Sequence, residues 1–360
     1  MAEQPQELVD IITRRAVLLE RLKSGTVKLF APFLRDLDKS LRLRLSTEDM
    51  TRIQAGRLET LLGDVRETST ELFTRYHNIL VPELQAAAIS ETGFMGKALD
   101  TVIETARFEA VLPADVQVWA AITSRPLGVR SPGGAKLLES FLLDWQQSEV
   151  DLLESQIRQA AFEGTDTQTL IRQVRGTRES RYLDGTLAQI DRHNGAIVRT
   201  ALQHVSAVAR QQTMLENEID KIRIVATLDS KTTQVCKSMD GKILPADKGP
   251  LPPYHPNCRT TYVPVLPDDY EWTQEGATRA SIDGQVSADL TYYEWLQTQT
   301  PTFQDIALGP VRGKLFRDGG LSPDEFAELN LSKTFEPLTL AQMEDLAPEA
   351  FRRAGISLPD

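Results

Sequence analysis

Both cysteines of the 360-residue chain, Cys236 and Cys258, fall in one stretch from Arg223 to Val265, and His255 stands three residues before the second. Two thiols and an imidazole in that order suit three kinds of chemistry. A disulfide between the cysteines would close a loop and stabilise the fold by about 3 kcal/mol in the chain-entropy model. A structural zinc would take Cys236, His255 and Cys258 with a carboxylate such as Asp229 or Asp240, because such sites want four ligands, mostly Cys or His. The third reading is two buried thiols beside a histidine that bonds backbone, since cysteine is among the most buried residue types whatever its role. Catalysis by a thiol with His255 as its base is a further alternative. Against it, prolines crowd His255, and three-residue spacing does not make a dyad. The sequence has no Gly-rich phosphate loop, no Gly-x-Ser-x-Gly and no His-Glu-x-x-His. The expectation is therefore no catalytic residue and no enzyme, with structural zinc the one cofactor to consider.

The elements that must position these groups are short. Ile222, Ile224, Ala226 and Leu228 alternate with Arg223, Val225 and Thr227, as in a half-buried strand. Asp229-Ser230 supplies turn chemistry at its end. Met239-Asp240-Gly241-Lys242 predicts a hairpin, because Asp-Gly accepts positive φ cheaply. Pro252-Pro253-Tyr254-His255-Pro256-Asn257 is a stiff segment, since each proline restricts its predecessor as well. Thr260 to Val265 reads as a second strand, placed at a sheet edge by Pro264. Two strands flanking a hairpin and a proline loop could bring Cys236 and Cys258 together.

Asp229-x-x-Thr232, then Cys236, then Asp240-Gly241, then Pro-Pro-Tyr-His-Pro-Asn-Cys-Arg from Pro252 to Arg259 resembles the bacteriophage minor head proteins of the MuF-type head-morphogenesis family. Members of that family often carry Cys-x-x-Cys after the Asp and Cys-x-Cys at the end. Thr233 and Thr260 occupy the other two cysteine positions here. The resemblance covers about the last 160 residues, including a Trp-Leu…Leu-Gly…Leu-Phe tail, and the helical front half is similar more loosely. It marks Arg199, Asp229, Thr232, Asp240, Asn257 and Arg259 as the motif's polar residues, with Arg199 expected to pair with Asp229. It implies a structural minor capsid protein inside the head near the portal vertex, made in the host cytoplasm and acting in head assembly and in genome packaging or delivery. The implied partners are the portal protein, the major capsid or scaffolding protein, and packaged double-stranded DNA. The alternative is a DNA-binding or effector protein carried in the virion and ejected.

The rest of the chain reads as helix. Val9, Ile12, Ala16, Leu19 and Leu22 form an apolar stripe from Gln6 onward, with Arg14, Arg15, Arg21 and Lys23 mostly off it. Breaks are expected at Gly25, Pro82 and Gly93, a loop over residues 111–134, and a turn at Asn194-Gly195. Arg172, Arg175, Arg178 and Arg181 form the best basic cluster, a DNA or partner contact in the functional reading, although Glu179 and Asp184 dilute it. Capping boxes start helices at Thr165 and Thr291, and Ser322-Pro323 and Thr339 start two more. Residues 268–289 read as polar and irregular. Net charge is −11, so bulk charge does not draw the chain to DNA. After Val265 there are 17 Asp and Glu against 7 Lys and Arg, so the tail holds most of that excess. No signal peptide or run of 18 apolar residues is present, and no membrane partner is expected. The fold expected is mainly α with a small α+β module: an elongated helical front half (residues 1–134), a connector (135–190), a compact Cys/His/Pro-rich β-containing module (191–300) and a short acidic helical tail (301–360).

Overall fold

The computed structural model describes residues 8–103, 108–131, 134–266 and 276–358. The front half is a stack of helices. α1 (Leu8–Val27) runs through Gly25, and one tight turn at Lys28–Phe30 hands it to α2 (Ala31–Leu45). α3 (Ala55–Val102) is a single helix of 48 residues, about 70 Å long at 1.5 Å per residue, which makes this half elongated. The breaks expected at Pro82 and Gly93 do not occur. A proline inside a helix costs about 3 kcal/mol, and α3 buries Leu72, Phe73, Tyr76, Leu80, Leu84, Ala87 and Ala88 on both sides of it, which outweighs that cost.

The segment expected as a loop at 111–134 instead contains α4 (Asp115–Ser124), which buries Val118 and Ile122. A minimal two-strand ladder follows, β1 (Arg130–Ser131) with β2 (Gly134–Ala135). α5 (Leu138–Glu163) ends at Gly164 with φ +66°, and α6 (Thr167–Arg175) is capped by Asp166, one residue later than the capping box placed it. α7 (Thr186–Glu216) passes through Asn194-Gly195 without turning. Asn194 is wholly buried: Tyr76 donates to its Oδ1 at 2.8 Å, and its Nδ2 donates to the Val27 carbonyl at 3.3 Å. A satisfied interior amide removes the pull towards a turn.

The module begins with β3 (Lys221–Val225), continues through α8 (Gln234–Met239) and β4 (Ile243–Pro245), and ends with β5 (Thr261–Pro264). These strands form an antiparallel sheet in the order β4-β3-β5, with Pro264 on an edge strand as expected. The expected hairpin at Asp240-Gly241 is instead the exit from α8 into β4, because a whole helix lies between the paired strands. The stretch read as irregular carries a second hairpin, β6 (Thr278–Ser281) with β7 (Gly284–Ser287); residues 267–275 lie outside the described ones. The tail is α9 (Tyr292–Gln297), α10 (Pro301–Leu308), α11 (Pro310–Asp318), α12 (Pro323–Leu329), α13 (Leu340–Leu346) and α14 (Pro348–Arg353). Thr291, Ser322 and Thr339 cap their helices as their sequences require.

Among the described residues two large apolar cores result, with a small third cluster of Ala226, Cys236 and Cys258. The first runs from Leu8 on α1 through α3, α5 and α7 into the sheet at Ile222, Ile224 and Tyr262. At its centre Trp145 meets Phe30, Phe73 and Tyr76 edge to face, with the Phe73–Trp145 ring centroids at 5.4 Å, while Phe30 and Phe73 stack at 6.0 Å. The second gathers Trp295, Phe316, Phe326, Met343 and Phe351 of the tail against Leu228, Tyr292 and Tyr293. Among the described residues, no helix is long and apolar enough to cross a membrane.

Candidate thiol and imidazole site

Asp229 launches the site. Its Oδ1 accepts from the Lys231 and Thr232 amides, both at 3.0 Å, and from the Thr232 hydroxyl at 3.0 Å, closing the turn that leads into α8. Cys236 sits in the first turn of that helix. Cys258 arrives from the other side by the proline loop. Leu251, Pro252 and Pro253 are buried there, the Arg125 guanidinium donates to the Gly249 carbonyl at 2.8 Å, and Gly128 packs against the Leu251 and Pro253 carbonyls. Asn257 then takes φ +60°, a conformation Asn accepts more readily than most residues, and its amide donates to Thr200 Oγ1 at 3.1 Å. The resulting reversal lays Cys258 beside Cys236.

The three groups do converge. Cys236 Sγ is 3.2 Å from His255 Nε2 and 3.7 Å from Cys258 Sγ, and the three donor atoms lie within 4.8 Å of one another. Both cysteines are free thiols, 1% and 0% exposed. His255 Nδ1 is 2.8 Å from the Pro256 carbonyl. A carbonyl only accepts, so the neutral ring carries its proton on Nδ1 and turns the Nε2 lone pair to the sulfurs. The electrostatics are lopsided. The hydrogen bond to Cys258, and then burial, push the Cys236 thiol up. Burial also pushes Cys258 up, but its interactions with Cys236 and His255 outweigh it and hold that thiol well below its usual range. Burial pulls the His255 imidazole down, while its contact with Cys258 raises it by more.

Residues 151–263 match the family model described as Phage Mu protein F like protein. The match supports a phage minor head protein family for this stretch. No curated protein and no solved structure matches the chain. The phage Mu F-like stretch takes in all three donors and the polar residues of the motif. It excludes two side chains that complete the site from outside, Lys23 and Arg279.

Both carboxylates expected as a fourth metal ligand are committed elsewhere. Asp229 holds Arg259 in a two-pronged pair, Nη1 to Oδ2 at 2.7 Å and Nη2 to Oδ1 at 3.0 Å. Burial pushes this carboxyl up, but Arg259 keeps it below the ordinary range. Asp240 is buried against Arg279 of β6 at 3.0 and 3.1 Å and accepts from the Ala226 amide at 2.6 Å. Arg199 does not reach Asp229 as expected; Arg259 has taken that partner. Arg199 turns to α1, donating to Ser24 Oγ at 3.1 Å and lying 3.6 Å from Glu20.

Sequence reasoning missed Lys23. Its ammonium is buried, donating to Glu20 at 2.6 Å and Gln203 at 2.5 Å, and it stands 3.5 Å from the Cys258 carbonyl. Burial lowers its pKa despite Glu20. Gln203 in turn donates to the Thr260 carbonyl at 2.7 Å. The signal was spacing: Leu19, Lys23 and Thr26 continue the inward stripe of α1, whereas Leu22 is 40% exposed. Arg279 had no such signal. The arginine run is not part of this site. Arg172 donates to Thr169, Arg175 lies 4.5 Å over the Tyr182 ring and 3.9 Å from Asp38, and Arg178 and Arg181 are exposed in the turn after α6.

Proposed function

We propose that this chain is a structural minor head protein of a tailed bacteriophage, held at the portal inside the head, where it serves assembly and genome packaging or delivery. The phage Mu F-like match over residues 151–263 carries the reading. Its working mechanism is binding. The sheet and proline loop form a rigid fitting, and the helices that grip it present surfaces to partners. On α1, Val17, Leu18 and Leu22 stay 55%, 50% and 40% exposed, and Val116 on α4 is 74% exposed beside Ile89 of α3. Portal or capsid surfaces are expected there. The burial of both sulfurs supports a structural part over catalysis, since a nucleophile needs access to its substrate. Coexpression with the portal protein of the same phage tests this. The chain is expected to co-elute with the portal oligomer and to lose that association when Val17 and Leu18 are both changed to Glu; separate elution of folded wild-type chain and portal would oppose it.

The second reading is a DNA-binding protein ejected with the genome, and the exposed Arg172, Arg178 and Arg181 are what favour it. It requires affinity for duplex DNA that falls steeply with salt. Binding that survives replacement of all three by Ser would remove its support.

A further inference from the structure

The cysteine pair is spaced for a shared ligand more than for a bond between its own sulfurs. A tetrahedral zinc with Zn–S near 2.3 Å and Zn–N near 2.0 Å sets its two sulfurs about 3.8 Å apart and each sulfur about 3.5 Å from the nitrogen. Here the sulfurs are 3.7 Å apart, and Cys236 Sγ is 3.2 Å from His255 Nε2. A disulfide needs about 2.05 Å between the sulfurs. We propose that Cys236, His255 and Cys258 hold one thiophilic divalent cation of the zinc class, with a solvent molecule as fourth ligand.

Three further observations fit. The Nδ1–Pro256 contact orients the imidazole from behind, as the outer hydrogen bond of a metal-bound histidine does. The two loops that deliver the sulfurs are braced independently of any ion, by Asp229–Arg259 on one side and by Lys23 at the Cys258 carbonyl on the other. The fourth position falls to solvent because Asp229 and Asp240 are each spent on an arginine. His255 is only half-buried, which leaves the cluster a way to water, and among the described residues the buried Thr233 hydroxyl has no partner besides the Cys236 sulfur. The inference stands apart from the minor-head reading, since a chain with another role could hold the same ion.

The test uses full-length chain purified under reducing conditions, stripped with a chelator and titrated with Zn²⁺ or Co²⁺ alone. Uptake of one ion per chain is expected. The cobalt form should show the visible absorption of a tetrahedral centre together with thiolate-to-metal charge transfer. His255→Ala should weaken binding at least tenfold, and His193→Ala, away from the site, should leave it unchanged. Reduced, folded chain that takes up neither ion would overturn the proposal, as would an octahedral cobalt spectrum without charge transfer. If His255→Ala does not fold, the wild-type cobalt spectrum decides the matter.

Discussion

Asp240 and Arg279 are nearly inaccessible, their side chains 0% and 3% exposed, and they pair with each other while Asp240 also accepts from the Ala226 amide and Arg279 also donates to the Ala226 and Leu290 carbonyls. Removing one partner strands a buried charge, which costs about 3–5 kcal/mol, whereas replacing both with apolar groups costs far less. Arg279→Met should therefore lower the urea midpoint sharply, and the double variant Arg279→Met/Asp240→Leu should recover much of the loss; additive losses in the two single variants and the double would contradict this. His204 gives a pH-dependent counterpart. Burial pulls its imidazole down to about 4 from 6.5, and its Nε2 lies 3.0 Å from the Ile122 carbonyl. The unfolded chain then binds a proton below pH 6.5 that the folded chain refuses until about pH 4. Stability rises with pH across that window, and about 3 kcal/mol is lost on acidification. His204→Gln should flatten this slope in denaturation curves taken between pH 4 and 7. Residue types with a local job were legible at this scale: the cysteines and His255 converge as their spacing allowed. Pairings across the fold were not, because Arg199 and Arg259 are equally plausible partners for Asp229 until the third dimension picks one.

The proline loop and the α4 exit form one joint. A Cβ on Gly128 would lie 2.7 Å from the Pro253 carbonyl oxygen and 2.8 Å from that of Leu251, both backbone atoms with little room to move. Gly128→Ala should cost about 1–3 kcal/mol by overpacking, read as a lower melting temperature; Gly63→Ala, which meets nothing within 4 Å, is the control. Helix starts were the most legible elements, because a cap is a contact between neighbours in sequence. The helix starts expected at Thr291, Ser322 and Thr339 all form, each residue capping its helix. Helix interiors were less so. Pro82, Gly93 and Asn194-Gly195 are local breakers overruled by the long apolar faces of α3 and α7, which no local rule weighs.

Across the whole molecule the module of β3, α8, β4 and β5 sits between the two large cores. Its α8 is bound to the tail, where the Tyr292 hydroxyl donates to the Asp229 carbonyl at 2.7 Å, Gln234 reaches Asn330 at 2.9 Å, and Lys237 caps the end of α10 at the Ala307 carbonyl. Its other side is bound to α1 by Lys23 and to α7 by Gln203. The fold class, mainly α with a small α+β module, was legible from periodicity and proline placement. The way α1 closes over the module was hidden, because it depends on a buried lysine contacting residues some 180 to 235 positions away. A fitting braced from both sides suits the proposed part, which has to keep its shape.

Quantitative mass spectrometry of purified heads from the phage that encodes this chain bears most directly on that account. A small fixed number of copies per portal ring, recovered with the portal when heads are dissociated, is the result it predicts. Mature heads that lack the chain altogether would contradict it.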